Sequence, residues 1–337
     1  MTEIITLENE HRWDEIIRSM NNYDFYHLSK YHSLDKTGKA ILFHYQNKSD
    51  EFAFPFLLRE IPETSYKDIS SVYGYTGPLS KNEIPSLSNI KLFQEELKKY
   101  FEENNIVSVF SMLHPILKTQ DVLLNGLGET IKANTTIAIN LKLSETEQKK
   151  QYARSTKYKI NLLKKNEFYV KEAKSQKDVE AFINIYKENM NRVNAAPKYY
   201  FPDDYFYTFF EKINSTIFLA LHKDEVVSGS LCTYCHTIMQ AHLNATSDRY
   251  LHRSPLNLVL DAAREKGIER NMSWLHLGGG RGGVDDSLFQ FKSRFSQERF
   301  TFQIWKYIYN EKIYNELNEK KFGDKQPDSS FFPLYRK

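Results

Sequence analysis

The sequence predicts an α/β (α+β) protein of two domains. Its 337 residues suit two domains or one large one. Hydrophobic residues at 41% and charged residues at 26% lie near ordinary globular usage, so cores can form. Short apolar runs of strand type also alternate along the chain with segments whose apolar residues recur at helical spacing.

In the first half, residues 10–21 read as a short helix. "KAILFHYQN", "EFAFPFLLREI" and "ISSVYGYTGPLS" read as strands, and "SNIKLFQEELKKYFEENN" as a helix. "IVSVFSMLHPIL" and "NTTIAINLKL" read as strands. A second half starts at Ser144, where "SETEQKKQYARSTKYKINLLKKN" reads as one basic helix opened by a capping box, Ser144 with Glu147. A helix over about 177–191 follows, then the loop "NRVNAAPKYYFP" and a helix over about 203–213. Next come strands "TIFLALHK", "EVVSGSLCTYCHT" and "IMQAHLNATS", helix "PLNLVLDAAREKG" and strand "SWLHLGG". Helix "DSLFQFKSRFS", strand "RFTFQIWKYIYN" and a helix over 311–320 close the pattern. The expected domains are 1–143, with the C-terminal segment as a candidate to complete it, and 144–320. The tail 321–337 is a poorly ordered or docking terminus.

The order in the second half is helix, helix, three meandering strands, helix, strand, helix, strand. That is the order of the Gcn5-related N-acetyltransferase (GNAT) fold, and it predicts mixed, mostly antiparallel sheets. The first half reads as a degenerate copy, although no sequence repeat shows this.

Composition excludes several classes. A net charge of +3 is too small to imply nucleic-acid binding by itself. No run approaches the roughly 20 apolar residues that span a bilayer. The acidic, amphipathic N-terminus lacks the regions of a signal peptide, so a cytoplasmic protein is expected. Cys232 and Cys235 have C-x-x-C spacing but fall in a strand, where residues three apart face opposite ways. They read as two unrelated thiols, with no metal cluster beside them.

The run "GGGRGG" (278–283) bears most on function. It lacks the Lys-Ser/Thr of a P-loop and sits too late for a dinucleotide fingerprint. A strand–glycine–helix junction still offers backbone N–H groups to a ligand. Gly279, Gly280 and Arg281 are therefore either a ligand-lining loop or a tight turn. Asp285 and Asp286 suit the cap of the next helix. There Leu288, Phe291 and Phe295 share a face beside Lys292, which read alone is either a surface lysine laid along that stripe or a functional one. The basic run Lys149, Lys150, Arg154, Lys157, Lys159, Lys164, Lys165 is either a solvated face or a phosphate-binding one.

"HLGGGRGGVDDSLFQFKSRFS" resembles the signature of the FemABX family, tandem acetyltransferase-fold enzymes that mostly move an amino acid from aminoacyl-tRNA to an amine on a cell-wall precursor. "YGYTGPL" (73–79), His114–Pro115, "MNRVNAAPKYYF" and "AHLNATSDRY" resemble other family segments, in family order, across nearly the whole chain. The resemblance implies that Lys292 is catalytic, neutralising negative charge at the reaction centre. It implies that Arg154 and Tyr158, four apart on one helix face, hold the diphosphate of a nucleotide-linked acceptor, with Lys36 as a further phosphate contact. Tyr75, Asn194, Tyr200, His242, Asn244 and Phe291 become candidate substrate contacts. His242 and Asn244 stand where some relatives have two tyrosines, and Ser80–Lys81 where some have a functional Asp, so the acceptor contacts differ.

Acetyl-CoA enzymes of this fold hold the pyrophosphate on a glycine-bearing turn after the fourth strand. The matching "TSDRYLHRSPLNLVL" has no glycine, and Pro255 removes one amide. Arg249, His252 and Arg253 could still meet a phosphate there. No Ser-His-Asp or Cys-His system is evident. The expected activity is transfer of an aminoacyl group from aminoacyl-tRNA, with no bound cofactor, to an amine on a nucleotide- or lipid-linked envelope precursor. The alternatives are an acyl-CoA-dependent N-acyltransferase of polysaccharide amino sugars, and a non-catalytic sugar-nucleotide-binding or interaction protein.

Overall fold

A computed structural model describes residues 1–280, 286–323, 325 and 327–337. The chain folds as two units, Met1–Ala133 with Thr301–Lys337, and Asn134–Phe300.

The first unit contains β1 (Thr2–Thr6), α1 (Glu10–Ser19), α2 (Ser29–His32), β2 (Lys39–Gln46), β3 (Glu51–Glu60), β4 (Lys67–Ser70), β5 (Leu79–Ser80), α3 (Leu87–Glu103), β6 (Ile106–Met112) and α4 (Gln120–Leu124). The chain enters the second unit within β7 (Glu129–Asn140). It continues through α5 (Glu145–Gln151), α6 (Arg154–Lys165), β8 (Tyr169–Glu172), α7 (Gln176–Arg192), α8 (Asp203–Lys212), β9 (Ser215–His222), β10 (Glu225–Cys235) and β11 (Ile238–Thr246). α9 (Leu256–Glu269), β12 (Trp274–Gly278) and α10 (Ser287–Ser293) follow. It returns to the first unit within β13 (Arg299–Ile308) and ends with α11 (Glu311–Phe322).

The topology shows the repeat that the sequence hides. In the first unit β1, β2, β3 and β4 pair antiparallel in turn, β4 then pairs parallel with β6, and β6 antiparallel with β13. In the second, β8, β9, β10 and β11 pair antiparallel in turn, β11 pairs parallel with β12, and β12 antiparallel with β7. Two helices separate the first two strands of each set, and one long helix (α3 or α9) makes the crossover that a parallel pair requires.

Side-chain alternation explains the burial. In β7 and β12, Ile137, Ile139, Leu275 and Leu277 join a core with Val259, Leu260 and Ala263 of α9, as a period of two dictates. In the first unit Ile90, Phe93, Leu97, Tyr100 and Phe101 of α3 cover Phe43, Phe52, Phe54 and Phe56.

Several expectations change. "ISSVYGYTGPLS" is not one strand: β4 ends at Ser70 and β5 resumes at Leu79, because Gly74 and Gly77 turn the chain at φ +114° and +100°. The basic helix from Ser144 is two helices. The capping box forms, but Tyr152 is extended (ψ 132°) and ends α5. Its ring is buried edge-on against Phe295 and its hydroxyl donates to Asp261 Oδ1 at 3.1 Å. Burial of that ring outweighs the continuation of a 3.6-residue period. In α10 the buried apolar residue is Phe289, not Leu288, and Phe295 lies beyond the helix end. β1, α4 and β8, each five residues or fewer, gave no periodic signal. The tail docks: Tyr335 and Arg336 donate to Asp68 Oδ2 at 3.1 and 2.7 Å, while Arg59 takes Asp68 Oδ1. A fully buried carboxylate is thereby compensated. Cys232 and Cys235 are both buried, and burial pushes the Cys232 thiol up to about 12.

His27 and His32 are fully buried in the first unit, and burial lowers each imidazole to about 3 from an ordinary 6.5. The unfolded chain therefore binds more protons in acid. Their stability is fully present above pH 6.5 and is lost as pH falls toward 3, at about 1.4 kcal/mol per pH unit for each group. The urea midpoint should thus drop steeply between pH 7 and 5, and the drop should shrink in His32→Gln. A midpoint flat over that range would contradict buried neutral imidazoles.

Candidate functional site

Within the second unit, β11 and β12 pair through Ile238–Trp274, Met239–Leu275 and Gln240–His276, and the ladder stops there. Both strands become irregular at that position. On β11, Leu231 faces Leu243 but Cys232 faces Ala241, so His242 is an extra, bulged residue. On β12 the register against β7 shifts between His276 and Gly278. Gly278 then turns at φ +75°, a conformation costly for any residue with a Cβ. β11 runs on to Thr246 beside β10, while β12 leads into the glycine run. Beyond Gln240–His276 the two strands have no ladder in common. His242 and Asn244 lie beyond that point on β11, and Gly278 to Gly280 on β12. Bulges of this kind re-aim side chains and recur beside active sites.

The last ladder position is also joined by its side chains. His276 Nδ1 and Gln240 Oε1 lie 2.5 Å apart, Gln240 Nε2 donates to the His276 carbonyl at 3.2 Å, and both side chains are buried. His242 Nε2 is 2.6 Å from the Tyr205 hydroxyl, and its ring stacks on Phe209 of α8. Burial drives that imidazole down to about 3, so it is neutral at physiological pH. Asn244 Oδ1 is buried with no hydrogen-bond partner among the described residues. An acceptor in that state costs desolvation free energy and marks a place for an incoming donor.

Lys292 reaches the glycine run from α10. The Asp286 side chain caps this helix, accepting from the Phe289 amide at 2.9 Å. Lys292 is buried, which removes the alternative of a surface lysine laid along the stripe. Its Nζ donates to the Gly279 carbonyl at 2.7 Å. Burial lowers its pKa to about 8, with Asp286 opposing the shift. An ammonium has three donors, and Gly279 takes one. Gly279 has no room for a side chain: a Cβ would lie 2.8 Å from the Thr135 carbonyl and 3.1 Å from Asn134 Nδ2. Gly279→Ala should therefore destabilise the protein by about 1–3 kcal/mol and displace the Lys292 acceptor. Urea melts and the pH–rate profile of the variant measure the two effects.

The start of α6 is fastened to the end of α10. The Ala153 amide donates to the Arg294 carbonyl at 2.8 Å, and Gln151 Oε1 accepts from Ser296 Oγ and the Gln297 amide. The helix that begins at Arg154 thus abuts the helix that carries Lys292. Arg154 and Tyr158 are exposed, Tyr158 to 65%.

Other candidates lie apart in the chain. Asn194 follows α7 at φ +47°, its amide donating to Asn191, a helix-ending position that Asn tolerates. It and Tyr200 are exposed in the α7–α8 connection. Phe291 packs half-buried against the core of the second unit. Lys36 and Tyr75 belong to the first unit. Lys36 is exposed and donates to the Ser33 carbonyl at 2.7 Å. Tyr75 sits among Tyr26, His114 and Phe302, and burial lifts its phenol to about 12. Gly280 is within the described residues; Arg281 and Asp285 lie outside them.

Between β11 and α9, a 3-10 turn (Asp248–Arg253) leads to Ser254 at φ +57° and then Pro255. Ser254 Oγ accepts from Lys159 at 3.0 Å. Among the described residues no group of three His, Cys, Asp or Glu is placed to hold a metal. Sequence reasoning missed Tyr205 and the Gln240–His276 pair. Aromatic residues at 205 and 209, four apart on α8, with Phe201 four residues before, were the available signal for Tyr205.

No family model and no curated protein matches the sequence. Solved structures do. FemX superposes with a TM-score of 0.72 at 13% identity, covering 94% of this chain and 99% of that one. The C-terminal domain of a putative lysylphosphatidylglycerol synthetase from Agrobacterium fabrum gives 0.56 at 10% identity, over 89% and 91%. A tandem GNAT protein from the clavulanic acid biosynthesis pathway gives 0.51 at 6% identity, over 91% and 98%. These likenesses establish the fold as the tandem acetyltransferase type.

Proposed function

We propose that the protein is an aminoacyltransferase that moves an aminoacyl group from aminoacyl-tRNA to an amine on a nucleotide- or lipid-linked envelope precursor. The observation that carries this reading is Lys292, a buried cation hydrogen-bonded to the Gly279 carbonyl at the end of the opened β11–β12 pair. The likeness to FemX over nearly both chains, and to a putative lysylphosphatidylglycerol synthetase, supports the same class.

In this reading the acceptor nitrogen attacks the ester carbonyl and forms the new C–N bond. The tetrahedral carbon carries an oxyanion, which the remaining donors of Lys292 stabilise in a site partly shielded from water. Collapse breaks the C–O bond to the ribose, whose oxygen takes a proton as the amine gives one up. The ester supplies its own activation, so the protein's work is positioning and charge stabilisation. Neutral His242 and Asn244 offer polar contacts without net charge, suited to an uncharged ester. Arg154 and Tyr158 hold the acceptor diphosphate, the guanidinium as a bidentate donor.

The acyl-CoA alternative draws on one observation, the basic residues Arg249, His252 and Arg253 at the turn before α9. Against it stand the absence of glycine there and the amide lost at Pro255. Thermal shift and calorimetry with acetyl-CoA and with UDP-linked amino sugars test the choice, because a ligand that binds only the folded state raises its stability by mass action. Binding of the sugar nucleotide alone is expected; tight binding of acetyl-CoA would replace the aminoacyl reading by the acyl-CoA one.

A further inference from the structure

From Lys149 to Asn166 the chain carries seven cations and no carboxylate. Lys149 is taken by Glu145 and Lys159 by Ser254 Oγ. Arg154, Lys157, Lys164 and Lys165 are exposed and have no ion pair with a described residue. A basic run alone is ordinary solvated surface. What sets this one apart is what lies beside it.

α6 buries Thr156, Ile160 and Leu163. At 3.6 residues per turn the opposite side presents, in angular order, Lys164, Lys157, Asn161, Arg154, Lys165, Tyr158 and Leu162. The cations thus form one edge and two exposed apolar side chains the other, with Tyr158 65% and Leu162 37% exposed. The Lys159–Ser254 bond ties the Leu162 flank of α6 to the turn before α9. That turn exposes Leu251, at 40%, beside His252 and Arg253. The patch repeats the same pairing of cation and bare aliphatic on a second element.

We propose that this face of the second unit docks on an anionic bilayer surface, its lysines among the lipid headgroups and Leu162 and Leu251 at the acyl boundary. An interfacial helix sets its basic residues among the headgroups and its apolar side chains at the acyl boundary; α6 keeps its main apolar face in the core and offers its exposed apolar edge. The chemistry favours lipid over RNA. Six of the seven cations are lysine, compact hydrated charges suited to a diffuse headgroup layer, where a nucleic-acid strand is usually met by arginine forks and stacking rings. Leucine offers no stacking face. No helix of the described residues is long and apolar enough to cross a membrane. The proposed contact stands on charge and exposure and does not depend on the transfer reading.

The test is co-sedimentation of the full chain with vesicles of phosphatidylcholine alone and with about 30% phosphatidylglycerol. Binding to the anionic vesicles only is expected. Lys157→Gln, Lys164→Gln and Lys165→Gln together should weaken it on the order of 100-fold. Leu162→Ser with Leu251→Ser should weaken it several-fold while leaving the slope of binding against salt unchanged. These positions are exposed, and an unchanged melting temperature shows that the variants fold. Absence of binding to anionic vesicles, or binding that all five substitutions leave intact, would overturn the proposal. So would full displacement of the vesicles by structured RNA, which would assign the face to RNA. Turnover on a water-soluble acceptor is read separately: if wild type binds vesicles but transfers nothing, the docking face stands and the transfer reading falls.

Discussion

Lys292→Ala should lower the turnover number by about 10²–10³ and leave KM for the acceptor within a few-fold, the signature of a group used in the transition state rather than in binding. The side chain is buried, its Nζ is 2.7 Å from the Gly279 carbonyl, and its position is set by a helix capped at Asp286. A cation held there meets developing negative charge with little reorganisation. Its pKa, lowered to about 8 by burial, adds a second expectation: activity should fall on an alkaline limb near pH 8, and that limb should be absent from the residual activity of Lys292→Ala. Lys292→Arg should not restore the rate, because a planar fork cannot occupy the place of a compact ammonium. Steady-state kinetics from pH 6 to 10 on the three proteins, with circular dichroism to confirm folding, measure all of this.

Arg264→Met should cost about 3–5 kcal/mol of stability, the usual penalty for stranding one partner of a buried ion pair. The guanidinium of Arg264 is fully buried; its Nε donates to Asp261 Oδ1 at 3.1 Å and Nη1 to Gln148 Oε1 at 3.3 Å. Asp261 also accepts from Tyr152. The network links α9 to the end of α5 and to the residue that breaks the α5–α6 helix, and so fixes where Arg154 begins its helix. The urea midpoint should fall sharply, and acceptor KM should rise even under conditions where the variant stays folded. Pairing Arg264→Met with Asp261→Leu should recover part of the stability, since no buried charge is then stranded, while the Tyr152 hydroxyl and Gln148 Oε1 still lose a partner. A single variant as stable as the wild type would mean the buried pair is not formed.

The elements that could be read from the sequence are those whose reason is local. Phe52 to Phe56 and Ile217 to Leu221 are strands because apolar residues crowd a short run, and α3 is a helix because Ile90, Phe93, Leu97 and Phe101 recur on one side. The break at Tyr152 is not local, since its hydroxyl is fixed by Asp261, 109 residues on. The bulge at His242 is a fact of register against β10 and leaves no mark on β11 itself. The strand that became two at "ISSVYGYTGPLS" did carry its signal, in Gly74 and Gly77.

The candidate site divides in the same way. The resemblance singled out Lys292, Arg154 and Tyr158, and the fold brings the starts and ends of their helices together at Ala153 and Arg294. It could not say that Lys292 is buried, because that depends on Gly279 lying against β7. Tyr205 was missed because its partner His242 is in another element, 37 residues away.

The most direct measurement is a single-turnover reaction of the protein with charged tRNAs carrying labelled amino acids and a pool of amine-bearing nucleotide- and lipid-linked envelope precursors, run with wild type and Lys292→Ala. The expected result is label moved into an amide on one precursor class from one charged tRNA, slowed by about 10²–10³ in the variant. No transfer from any charged tRNA, with label moving instead from acetyl-CoA or not at all, would contradict aminoacyl transfer as the function of this chain.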